Sequence, residues 1–382
     1  MRRLTWIAIL VFAASAHAQM TTTAQQLAAA EKFGTDIAQA FNQRDRKALA
    51  MLIDFQRVMV RSADFQGLSG TDRESYLRGA SKAGITPLLD NYFRVLDTAH
   101  GTVRYMRVTG TSPARSLVRF DMGAQGFNYL EYHLDTDAAG NTRAKDWYQL
   151  ATGDLISVTL GGIAQLFANN SPGLIERLLG AKSDADTTAM FARIGQYQRA
   201  GKYAEALEVY KQLPEPIANS RLMLTLRAST ANLANNPEEH DRALTTMAKL
   251  FANDPAASFM LIDYYYARKD APELLRIIST VEKRVGVDGN TCMLRANAHA
   301  LGKDFTNALK SADDAVRLEP DLLAAQDSRA TILVQLTRYQ DAVDAYRAME
   351  KTFGLRFARA NFSDPLFRQF VTSRPFSTWL PK

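Results

Sequence analysis

The chain has 382 residues, 47% of them hydrophobic and 23% charged, which is enough apolar material for two folded domains and not the composition of a disordered polymer. The formal charge of +6 is spread evenly, with 18 basic and 16 acidic residues in 19–182 and 26 and 24 in 183–382. Without a Lys/Arg block or stripe, the charge pattern argues against nucleic acid as a partner, and a single cysteine, Cys292, excludes an intramolecular disulfide.

The first residues read MRRLTWIAILVFAASAHAQ. Arg2 and Arg3 are followed by an apolar run from Leu4 to Ala16 and by a small-x-small site, Ala16-His17-Ala18. This pattern predicts a signal peptide over residues 1–18 and an exported, soluble protein of a bacterial periplasm. The run is short for crossing about 30 Å of hydrocarbon, and no later stretch reads as a span.

Residues 24–160 form the next block. A helical pattern runs from Ala24 to Phe41, with Leu27, Phe33, Ile37 and Phe41 on one apolar face. Further helices are expected over Ala48–Phe55, Asp72–Gly79 and Ile85–Leu96. The period then changes to two. TVRYMRVTG from Thr102, ARSLVRFDMG from Ala114, GFNYLEYHLDTD from Gly126 and TRAKDWYQLA from Thr142 read as strands, with LISVTL continuing after the TGD break. Helices on one face of a curved antiparallel sheet make an α+β fold.

Alternation places Phe127, Tyr129, Glu131 and His133 on one face of the third strand, Asp146 and Tyr148 on one face of the fourth, and Arg119 and Asp121 together on the second. A histidine beside a carboxylate can move protons near neutral pH, so His133, Asp146, Glu131 and Tyr148 are the candidate catalytic residues. The plainer reading is a polar outer face whose charges pair across strands. In DWYQLATGDLIS, Trp147 and Leu155 are expected to pack and Gly153 to turn the chain. One histidine among scattered carboxylates lacks metal-ligand spacing, and no phosphate loop, nucleophile elbow or CxxC occurs. No metal or cofactor is expected, and no motif marks the chain as an enzyme. The order of elements and the closing DWYQLATGDLIS resemble the nuclear transport factor 2 and cystatin-like class. That resemblance implies a cone-shaped fold but no particular activity, because the class includes enzymes, ligand binders and structural modules.

Residues 161–186, with a break at Asn169-Asn170-Ser171-Pro172-Gly173, read as a helical connector. Residues 187–355 then repeat. Phe305 and Tyr339 are 34 apart, as are Ala308 and Ala342, Ala312 and Tyr346, and Ala315 and Met349. Gly201, Tyr203, Ala206, Tyr210 and Leu213 follow the same order of small, aromatic, alanine, aromatic and apolar residues. A 34-residue period with these residues resembles the tetratricopeptide repeat. It predicts about five helix pairs in an all-α solenoid, the alanines lying where helices approach closely. The resemblance implies a concave groove for a protein or peptide, with Tyr197, Arg227, Tyr265, Arg295 and Arg329 as candidate partner-binding residues. In CMLRANAHAL, Cys292 is expected to be a buried small hydrophobe. The tail, 356–382, carries Phe357, Phe362, Phe367, Phe370, Phe376 and Trp379. It is expected to cover the last hairpin, with docking of a partner as the alternative. The sequence points to a periplasmic protein- or peptide-binding adaptor. A small-molecule binder or enzyme using the sheet is the alternative, and the oligomeric state is left open.

Overall fold

The structure, a computed structural model, describes residues 24–111, 113–123, 126–137, 139–166 and 185–381. The expected signal peptide and most of the connector lie outside the described residues. The chain forms two compact units, one ending at Thr246 and the other beginning at Met247.

The first unit opens with α1 (24–42), α2 (Arg46–Leu52), α3 (Phe55–Phe65), α4 (Gly70–Ala83) and α5 (Thr86–Thr98). Ala48–Phe55 is not one helix. Ile53 is extended and bridges Ala144, while the Asp54 carboxylate accepts the Arg57 N–H and caps α3. An aspartate that can satisfy an orphan N–H restarts the helix there.

Five strands follow: β1 (Thr102–Thr109), β2 (Arg115–Asp121), β3 (Phe127–Thr136), β4 (Thr142–Gln149) and β5 (Asp154–Leu155). They make an open antiparallel sheet in sequential order. One face carries Val118, Phe120, Leu130, Tyr132, Leu134 and Trp147, all buried against Phe33, Ile37, Phe41, Leu89, Phe93 and Leu96 of the helices. Phe33 meets Tyr132, and Phe41 meets Phe120, edge to face at 5.5 and 5.0 Å. Gly34 lets the Tyr105 ring lie directly on α1, in the space where a Cβ would stand.

LISVTL does not continue as strand. Only Asp154 and Leu155 pair with β4, and Ile156 begins α6 (Ile156–Leu166). The reason is tertiary. The Asp146 carboxylate accepts the Ser157 N–H at 3.2 Å, so a strand residue caps this helix.

Residues 185–353 form a long stretch of paired helices resembling a solenoid. The pairs are Ala185–Arg199 with Tyr203–Tyr210, Arg221–Leu233 with Pro237–Phe251, Leu261–Ala267 with Ala271–Val285, Gly289–Leu301 with Phe305–Leu318, and Leu323–Gln335 with Tyr339–Phe353. The residue that turns each pair has positive φ: Gly201, Asn235, Lys269, Lys303 and Thr337. Each is 34 residues after the last. The next residue closes every turn with the same backbone bond to a carbonyl five residues back. These bonds are Lys202 to Tyr197, Asn236 to Ala231, Asp270 to Tyr265, Asp304 to His299 and Arg338 to Leu333, at 2.8–3.0 Å. Ala206, Ala308 and Ala342 are fully buried at the second helices.

In the second unit the aromatic tail packs on helix Tyr339–Phe353. Tyr346 stacks on Trp379 at 5.6 Å and meets Phe357, Phe362 and Phe370. Glu350 accepts from the Phe357 N–H and the Trp379 Nε1–H. No helix among the described residues is long and apolar enough to cross a membrane.

Candidate functional site

The sheet face opposite the aromatic core carries the candidate proton-moving groups. Strand register brings His133 level with Asp146, Glu131 with Tyr148, and Arg115 with His133. Backbone proximity does not become one cluster of side chains, because each carboxylate has its own partner.

Asp146 is fully buried. Its oxygens accept from Arg61 Nε at 2.8 Å, Ser157 Oγ at 2.6 Å, the Ser157 N–H and the Trp147 N–H. Its acceptor sites are therefore taken up by the joint of α3, β4 and α6. Glu131 accepts from Arg115 Nη1 at 2.9 Å and Thr109 Oγ1 at 3.0 Å. Arg119, fully buried, forms a forked pair with Asp121 at 2.7 and 3.1 Å. His133 Nε2 is buried and makes no hydrogen bond. Glu131 Oε1 lies 3.6 Å from it, beyond hydrogen-bond reach. Tyr148, level with Glu131 on β4, is half-buried.

The partners Arg61, Ser157, Arg115 and Thr109 were not among the sequence candidates. Thr109 and Arg115 flank a hairpin turn inside the expected strands, and alternation alone puts Arg115 on the face of Arg119 and Asp121. Nothing in the sequence marks Arg61, which lies 85 residues from Asp146.

The helix-facing side of the sheet is filled. Tyr132 and Trp147 lie 5.6 Å apart, and Trp147 Nε1–H donates to Tyr92 Oη at 3.2 Å. Burial pushes the Tyr92 hydroxyl up to about 12, against the opposing effect of that bond, so it stays protonated at neutral pH. An open cleft of about 800 Å³ lies between α1, α2 and the β3–β4 turn, lined by Lys32, Phe33, Asp36, Met51 and Arg143 among others. Its charges are engaged within the fold. Lys32 pairs with Asp36 at 2.6 Å, and Arg143 donates to the Met51 and Ile53 carbonyls. Among the described residues, no group of three or more His, Cys, Asp or Glu side chains could hold a metal ion.

The candidate groove residues also have intramolecular partners. Arg227 donates to buried Glu239 through Nε at 2.6 Å and through Nη2, joining the two helices of one pair. Arg295 reaches Glu282 at 3.3 Å and Arg329 reaches Asp313 at 2.5 Å, each joining a helix to the one before it. Tyr265 is buried against Tyr264, and Tyr197 is partly buried in the first pair. Cys292 is buried, with Arg295 Nη2 at 3.2 Å from its sulfur. Burial pushes the thiol up, with the arginine opposing. A thiol so placed is a poor nucleophile.

Compared with known proteins, the chain matches no family model, and no curated protein matches it.

Proposed function

We propose that this protein is an exported adaptor that binds a protein or peptide segment through the groove of a tetratricopeptide-type repeat. In this reading residues 1–18 are a signal peptide directing the chain to a bacterial periplasm. Residues 24–160 form a domain of the nuclear transport factor 2 or cystatin-like type, 161–186 connect it, 187–355 are five repeats and 356–382 cap them. The observation that carries the reading is the turn at Gly201, Asn235, Lys269, Lys303 and Thr337, built alike at 34-residue intervals. Stacked hairpins of this kind present a continuous surface made of first helices. Tyr197, Arg227, Tyr265, Arg295 and Arg329 lie on those helices. The arginines would exchange an intramolecular carboxylate for a carboxylate or carbonyl of the bound segment, a substitution their forked donors suit.

The rival reading, a small-molecule binder or enzyme on the sheet, rests on the unsatisfied His133 Nε2 beside Glu131. A displayed peptide library selected on the full mature chain separates the two. The adaptor reading expects enriched peptides that bind Arg329→Glu and Arg227→Glu about tenfold more weakly or worse, the loss that goes with one charged hydrogen bond. Binding should be unchanged in His133→Asn. Peptides that bind all three variants like wild type, or no enrichment, overturn the groove reading.

A further inference from the structure

The turn after β4 ends in an interaction that the sheet does not need for itself. Arg221 Nη1 donates to the Thr152 carbonyl at 2.6 Å, and its Nη2 to Asp154 Oδ1 at 2.8 Å. These bonds span 69 and 67 residues and join the last turn of the sheet to the first residue of helix Arg221–Leu233. Both side chains are mostly buried, at 19% and 23% exposed.

Both halves of the contact are prepared by their own surroundings. Gly153, at φ +70°, bends the chain between the two acceptors, and its N–H is held by the Gln149 carbonyl at 2.9 Å. The Ala151 N–H is fixed by the Asn128 side chain at 3.0 Å, and the Leu150 N–H by the Tyr129 carbonyl at 3.0 Å. On the other side, Ser220 caps the helix through the Met223 N–H, and Thr225 Oγ1 bonds the Arg221 carbonyl at 2.9 Å. A planar guanidinium meeting two pre-placed acceptors, one of them charged, loses little entropy on forming the contact. A lysine could not span the carbonyl and the carboxylate in the same way.

We infer that Thr152, Gly153, Asp154 and Arg221 form a latch that fixes the α+β domain on helix Arg221–Leu233. The sheet and helix Arg221–Leu233 then move as one body. The inference is independent of what the repeat binds. It assigns a purpose to the TGD break that neither the strand pattern nor the repeat pattern requires. It also makes Arg221 a positioning residue, whose loss frees the sheet domain without unfolding it.

Hydrogen exchange on the full chain tests the latch. In Arg221→Met, amides of 150–157 should exchange about tenfold faster, as expected on losing a charge-assisted hydrogen bond, and in Asp154→Asn amides of 221–226 should do the same. The double variant should exchange no faster than the worse single one, and amides of 323–349 should be unchanged. Arg221→Met leaving 150–157 at the wild-type rate overturns the latch. Should the single variants unfold, Arg221→Lys keeps the proposal falsifiable. A lysine ammonium reaches one acceptor at a time, so amides of 150–157 should still exchange several-fold faster than in the wild type, and exchange at the wild-type rate would overturn the latch.

Discussion

The α+β domain and the helical repeat bury their chains by opposite means. The domain closes on large aromatic rings brought together from distant segments: Phe33, Phe41, Tyr92, Tyr132 and Trp147. Its polar face is likewise tied by long-range pairs such as Arg61 with Asp146. The repeat uses small residues, Ala206, Ala308 and Ala342, and each helix packs mainly on its neighbours in sequence. A defect in the domain should therefore be felt throughout its core, and one in the repeat should stay local. The same contrast bears on function. In the domain, a buried carboxylate facing a histidine's strand position turns out to hold two elements together, so burial and proximity alone do not identify a catalytic acid.

The largest effect expected from this contrast is at Asp146. Asp146→Ala leaves the Ser157 N–H and the half-exposed Arg61 guanidinium without their acceptor. The loss of stability should be about 3 kcal/mol, toward the low end for breaking a buried pair because Arg61 can reach water. Urea unfolding measures it. A stability loss below the error of the extrapolation would reopen Asp146 as a group kept for chemistry rather than for structure.

A smaller effect, of opposite sign, is expected in the repeat. Thr337 holds φ +57°, an αL conformation that a β-branched residue adopts only at a cost. Thr337→Gly removes roughly 1–2 kcal/mol of strain and returns part of it as unfolded-state entropy. The net gain should be about 0.5–1 kcal/mol, read as slower exchange in 323–353 and no change in 102–149. A global change in both regions would break the local character assigned to the repeat.

The two regions were also legible in different ways. The strand starts and the α1 face of Phe33, Ile37 and Phe41 were readable because burial on one side writes a period into the sequence. The 34-residue period was visible in the last two pairs, where Phe305, Ala308, Tyr339 and Ala342 carry it. It was faint in the middle, because Pro237 and His240, then Ala271 and Leu274, stand where the other pairs carry an aromatic residue and an alanine. The candidate site was legible only as a face. Alternation places His133 and Asp146 on one side, but it says nothing of Arg61 or Ser157, which decide what Asp146 does and come from helices packed beyond the strand. The extent of α6 was hidden for the same reason, since its cap is a strand residue.

The finest comparison sets the fully buried Asp146 carboxylate beside the partly buried one of Glu282. Asp146 accepts four hydrogen bonds, whereas Glu282, 12% exposed, leaves Oε1 without one although Arg295 Nη1 lies 3.3 Å away. Burial raises the Glu282 carboxyl above its ordinary value of 4.5. Arg295 and a Thr291 hydrogen bond oppose the shift, and Asp288 adds to it. A carboxyl whose folded value lies above its unfolded value binds its proton more tightly when folded. That contribution is complete below pH 4.5 and is lost as pH rises through the raised folded value. Glu282→Gln keeps the shape and removes the titration. Between pH 4 and 7 the wild type should therefore lose stability relative to the variant, by about 1 kcal/mol or less given the arginine beside it. Urea midpoints of the two proteins across that range measure the difference. Parallel curves would mean that Arg295 compensates Glu282 as fully as Arg61 and Ser157 compensate Asp146, and the distinction between a saturated and an unsaturated acid would then fall.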